Sequence, residues 1–171
     1  VIKNGLIVNN GQITEGDLLI EDNRITKVGG IIESNAKEID AEGRWVMPGI
    51  IDDQVHFREP GLEYKGDIAS ESAAAVAGGV TSFMDMPNVK PPTTTIDLLE
   101  QRYAAAAERS SANFSFYLGA TNDNIGELKK FDSENNCGIK VFLGASTGNM
   151  LVDDYQALQQ IFKLPYLIAI H

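Results

Sequence analysis

The chain has 171 residues, enough for one ordinary domain and its core, and its 43% hydrophobic and 22% charged residues are ordinary globular composition. A net charge of −10, with no Lys/Arg cluster to interrupt it, argues against nucleic acid and anionic membranes as partners. No apolar run is long enough for a membrane span, no signal peptide opens the chain, and the single cysteine, Cys137, rules out an internal disulfide framework. A reducing, cytoplasmic setting is therefore expected. The chain starts at Val1 and stops on an apolar strand ending in His171, so it reads as cut rather than finished.

Residues 1–47 carry short alternating runs broken by turn residues. LIVNNGQI has Asn-Gly at its centre, a strong hairpin signal. DLLIEDNRITKVGG repeats the form, with Glu21-Asp22-Asn23 as its turn, and EIDAEGRWVMPG predicts another strand pair around Glu42-Gly43. This is a small antiparallel sheet unit.

After Pro48-Gly49 the rhythm changes, and residues 48–171 form the second domain. IIDDQVHF, VTSFMDM, NFSFYLGA, CGIKVFLGA and LPYLIAIH read as strands. Between them GDIASESAAAVAGG, TIDLLEQRYAAAAERS, NDNIGELKKFDSEN and DDYQALQQIFK read as helices. Alternating strands and helices imply βα units and a parallel sheet. A doubly wound sheet would carry a Gly-rich phosphate turn after its first strand, and none is present. The polar residues gather instead at the predicted strand C-termini: His56-Phe57-Arg58, then Asp85 and Asn88, Thr121-Asn122-Asp123, Ser146 to Asn149, and His171. That placement favours an α/β fold built as an incomplete TIM-type (β/α) barrel, holding about five of eight βα units.

Several of these residues could carry chemistry. In a strand, Asp52, Gln54 and His56 share one face, which projects His56 inward at the barrel mouth. Both histidines of the chain, His56 and His171, fall at predicted strand ends. Lys140 lies among apolar neighbours in GIKVFLG, where a parallel strand is buried on both faces. It is either a lysine reaching the rim or a buried amine of depressed pKa, nucleophilic enough to take up carbon dioxide as a carbamate. Arg58 is suited to bidentate carboxylate recognition, or to an ion pair with Glu59 or Glu63. Asn88 is either an ordinary turn residue or a substrate contact. GASTGN lacks the Lys and the spacing of a phosphate loop.

PGIIDDQVHFREPG, followed by TSFMDMPN and then GIKVFLG, resembles dihydroorotase and its relatives among the cyclic amidohydrolases, hydantoinase and allantoinase included. The resemblance spans essentially the whole chain, as an N-terminal β-sandwich segment and then the first part of a TIM-type barrel. HFREPG paired with DMPN is specific to the dihydroorotase branch. The resemblance implies a strand-one motif Asp-x-His-x-His whose histidines bind a metal; Asp52 and His56 match it, and Gln54 replaces the first histidine. It implies that Lys140 is carboxylated to bridge two zinc ions, that His171 is a strand-five ligand, and that Arg58 and Asn88 hold the substrate carboxylate. It further implies a catalytic Asp beyond His171, so that this length of chain is inactive alone.

The implied reaction is the reversible cyclisation of N-carbamoyl-aspartate to dihydroorotate in pyrimidine biosynthesis, through metal-bound hydroxide. One or two zinc ions, a homodimer, and association with aspartate carbamoyltransferase in some relatives are implied with it. A glutamine amide is a weak zinc ligand beside imidazole, so Gln54 weakens the buried metal position most and leaves a single zinc or a rearranged pair. Two alternatives stand beside the enzyme: a silent homologue acting as a scaffold, and an amidohydrolase of hydantoins or allantoin.

Overall fold

The computed structural model describes residues 1–144 and 150–171, so the predicted rim residues Ser146 to Asn149 lie outside the described residues. Two compact units are present, Val1–Gly49 and Ile50–His171.

In the first unit, β1 (Ile2–Asn9) pairs antiparallel with β2 (Gln12–Glu21), Asn9 facing Gln12. Asn10 and Gly11, at φ 49° and 73°, therefore form a two-residue turn of the kind whose twist suits a hairpin. β3 (Arg24–Val28) pairs with β2 so that Glu21 faces Arg24, which leaves only Asp22 and Asn23 in the turn, at φ 49° and 63°. Glu21 thus belongs to the strand, because two left-handed Asx residues suffice to reverse the chain.

The strand pair expected around Glu42-Gly43 does not form. β4 (Ile39–Asp40) and β5 (Trp45–Val46) instead pair separately and in parallel with β1. With two residues each they cannot satisfy one another, whereas the free edge of β1 offers partners: Ala41 N donates to Lys3 O at 2.9 Å and Leu6 N to Arg44 O at 3.0 Å. Asp17 ties the unit together, accepting from Lys3 Nζ (2.8 Å), Asn4 N (3.0 Å) and Ile32 N (2.8 Å).

The second unit is one parallel sheet of β6 (Ile50–Val55), β7 (Val80–Asp85), β8 (Asn113–Gly119), β9 (Gly138–Val141) and β10 (Ile168–Ile170). The spatial order follows the sequence order without reversal. A doubly wound sheet reverses at a switch point, so this order belongs to a sheet that curls in the manner of a barrel. The helices between the strands are α1 (Ile68–Ala77), α2 (Ile96–Arg109), α3 (Ile125–Leu128) and α4 (Tyr155–Ile161). Asp67, Thr95 and Asp154 cap α1, α2 and α4 by accepting from Ser70 N, Leu98 N and Ala157 N. The third helix is far shorter than NDNIGELKKFDSEN suggests. Asp132 accepts from Glu134 N and Asn135 Nδ2, and that local turn competes with the continuation of the helix.

Phe83, Phe116, Leu118, Ile139 and Val141 form a closed core, joined by Phe57, whose ring lies 4.5 Å from Phe83. The outer strands are the exception. Ile50 and Ile51 on β6 and Ile170 on β10 stay exposed, because each of these strands has a neighbour on one side only. Among the described residues, no helix is long and apolar enough to cross a membrane.

Candidate functional site at the strand ends

His56 follows directly on β6, but the pairing of β6 with β7 slips between Asp52 and Val55, so simple alternation does not carry through to it. Asp52 turns back onto its own strand and accepts from Gln54 N at 3.1 Å, and Gln54 is exposed. His56 Nδ1 lies 2.9 Å from Asn88 Oδ1. A carboxamide oxygen only accepts, so Nδ1 carries the proton and Nε2 keeps its lone pair. Burial, then the Arg58 charge, lower the His56 pKa, with smaller contributions from Lys140 and His171. The imidazole is thus held neutral, with one nitrogen available as a ligand.

Arg58 donates from Nη1 to Asn88 O at 3.4 Å. Its backbone sits at φ 68°, a left-handed conformation that is sparsely populated for a residue with a Cβ and that collects at functional sites. The two loops that carry these residues are joined. Lys90 N donates to Pro60 O at 2.9 Å, and a Cβ on Gly61 would sit 2.0 Å from Lys90 O. With φ 82° as well, only glycine fits there, which explains the Gly of HFREPG.

Beneath these loops lies a buried ion pair. Asp85, fully buried at the end of β7, pairs with Arg102 of α2, which is 2% exposed. Asp85 Oδ1 accepts from Phe57 N at 3.2 Å, and Arg102 Nη1 donates to Met86 O at 3.0 Å and Thr93 Oγ1 at 3.4 Å. Burial pushes the Asp85 carboxyl up to about 6 against the pull of Arg102.

On the other side of the sheet's carboxyl end, Lys140 is 1% exposed, and its Nζ lies 5.1 Å from the centroid of the Phe142 ring. Burial lowers its pKa. The His171 ring is 6.2 Å from that of Phe142, so the phenyl ring borders both residues. Of the two readings of Lys140, the buried amine is the one found; it does not reach out to the solvent at the rim.

Among the described residues no three His, Cys, Asp or Glu side chains gather as a metal-binding group. The donors at the strand ends are two imidazoles and a desolvated lysine amine, and carboxylation would turn that amine into an oxygen ligand. Two imidazoles and a carboxylated lysine are donors of the kind a divalent ion takes, and among the described residues His56 Nε2 has no partner while Nδ1 is anchored. Gln54 puts a carboxamide, a weak zinc ligand, where the motif's other imidazole would join His56 on the same ion.

The structure therefore brings His56, Arg58 and Asn88 into direct contact, and Lys140 and His171 add small contributions to the lowered pKa of His56. Sequence reasoning missed the part played by Asp85 and Arg102. A signal existed: Leu99, Arg102 and Ala106 recur at helical spacing along the buried stripe of α2, where an arginine is out of place unless paired.

A parallel sheet with its polar residues gathered beyond the strand ends defines the class of α/β proteins whose sites are built at that face. A family model described as Dihydro-orotase-like matches residues 43–156, more than half of the chain, and the chain belongs to that family of cyclic amidohydrolases. It is 36% identical to a dihydroorotase of Methanosarcina acetivorans, over 99% of this chain and 38% of the relative. It is 35% identical to an allantoinase of Solibacter usitatus, over 100% of this chain and 39% of the relative. The solved L-hydantoinase (dihydropyrimidinase) from Arthrobacter aurescens superposes with a TM-score of 0.91 at 30% identity, over 99% of this chain and 40% of that one. The chain thus spans about two fifths of the length of the relatives it matches.

Proposed function

We propose that the chain provides the substrate-reading half of a zinc-dependent dihydroorotase, acting on N-carbamoyl-aspartate and dihydroorotate, within a barrel that further strands complete. The observation that carries this reading is the grouping of Arg58, Asn88 and His56, a cation and a carboxamide fixed beside a neutral imidazole. Among the described residues the remaining donors of Arg58 have no partner and can take a carboxylate, which a guanidinium holds through two parallel hydrogen bonds. Asn88 fixes the His56 tautomer through Oδ1 and leaves its amide N–H groups for the same ligand.

In the hydrolytic direction water adds to the ring amide carbon, the C–N bond breaks, and the freed nitrogen takes a proton. A zinc ion held by His56, His171 and carboxylated Lys140 would supply the Lewis acidity that polarises the amide. The residues of this chain orient the ring so that its amide faces that position, with the carboxylate held against Arg58. Phe142 borders both Lys140 and His171.

The likeness to L-hydantoinase supports a second reading, an amidohydrolase of rings without a carboxylate. A substrate comparison on the full-length polypeptide decides between them. Turnover of dihydroorotate with about one zinc per chain, lost in Arg58→Ala, supports the first. Turnover of hydantoins alone supports the second. Neither bound metal nor turnover of either ring would leave the scaffold role and refute both.

A further inference from the structure

We infer that the buried Asp85–Arg102 pair is a positioning device that sets Arg58 and Asn88 at the spacing of a single carboxylate grip. The inference rests on the reading of those two residues as the carboxylate holders. Asp85 reaches one loop: its Oδ1 accepts from the backbone N–H of Phe57, the residue between His56 and Arg58. Arg102 reaches the other, donating to the carbonyl of Met86, two residues before Asn88, and to Thr93 where the loop returns. Through the ion pair the two loops are one rigid object. The guanidinium is packed 4.3 Å above the Phe116 ring and cannot swing away.

Stability alone does not account for this pair. Two charges removed from water gain little over apolar residues of the same volume, and here Arg102 Nε is buried without a partner among the described residues. The sheet beneath has the apolar cluster of Phe57, Phe83 and Phe116 to hold it. The pair's hydrogen bonds go to loop backbone and loop side chain, on both sides of the candidate grip. Neither residue touches the substrate position, so both are positioning residues and not catalytic ones.

The test compares two ligands on the full-length polypeptide, N-carbamoyl-aspartate and hydantoin, a ring without the carboxylate. The variants are Asp85→Asn and the double variant Asp85→Leu/Arg102→Met. The double variant removes both charges together and so keeps the protein folded where the single one does not. In the folded variant the dissociation constant for carbamoyl-aspartate rises about tenfold to a hundredfold, the scale of a displaced charge-assisted contact, and that for hydantoin stays within about twofold. Arg102→Lys, which keeps the charge and loses the fork, falls between.

Amide exchange gives an independent readout of loop register. The Leu62 and Lys90 amides, which donate to Arg58 O and Pro60 O, exchange faster in the double variant. Equal weakening for both ligands marks a merely structural pair and overturns the inference, as do unchanged affinities with unchanged exchange. If Arg58→Ala binds carbamoyl-aspartate as the unaltered protein does, the carboxylate reading itself has failed. The positioning role is then decided by the exchange of those two amides alone.

Discussion

Lys140→Met is expected to stabilise the chain while removing a ligand of the proposed metal site. The side chain is 1% exposed in β9, and burial lowers its pKa, so the folded state disfavours the ammonium. Burying an ion costs several kcal/mol after relaxation, and the Phe142 ring at 5.1 Å returns up to about 2 kcal/mol as a cation–π contact. Methionine conserves volume at a cost under about 1.5 kcal/mol. The net is a gain of about 1–3 kcal/mol near neutral pH, which at roughly 2–4 °C per kcal/mol raises the melting temperature by several degrees.

The pH dependence has a definite sign. Below the ordinary lysine value of 10.5, the folded chain binds fewer protons at this site than the unfolded chain, so stability climbs as pH rises from the depressed pKa towards 10.5. The methionine variant loses that climb. Urea unfolding followed by circular dichroism across this range measures both effects, and zinc per chain after dialysis measures the third. A variant that is less stable by about 1 kcal/mol or more, or one that keeps its alkaline climb, refutes the account of Lys140 as a desolvated amine.

Three further outcomes follow from the same geometry. Gln54→His restores the second imidazole on β6 and strengthens zinc binding by about tenfold or more, read by competition with a chelator; no change would remove Gln54 from the metal site. Arg58→Gly relaxes the backbone at φ 68° and leaves stability equal or higher by up to about 1 kcal/mol, while carbamoyl-aspartate binding drops as it does in Arg58→Ala; thermal melts paired with calorimetry separate the two effects. Asp17 has its carboxyl lowered to about 2, first by the Ile32 amide and then by Lys3 and Asn4. Its folded pKa lies below the unfolded one, so its contribution is present above about 4 and is lost as pH falls through about 2. Asp17→Asn should flatten the acid limb of unfolding of residues 1–49, followed through the fluorescence of Trp45.

What the sequence alone determined was local. The Asn10-Gly11 turn and the alternation of strand and helix are written in neighbouring residues, and so were legible. So were His56, Arg58, Asn88 and His171, polar residues where an apolar pattern stops, and Lys140, a lysine inside one. What required the tertiary structure was every choice between distant partners. β4 and β5 turned to the free edge of β1, and the third helix ended at Leu128, ahead of the turn that Asp132 closes. The buried Asp85–Arg102 pair joins residues 17 positions apart, and the Asn88 bond to His56 spans 32. No local period encodes such contacts. They follow from strand order in the sheet, which brings the ends of β6 and β7 together and lets one ion pair hold both loops.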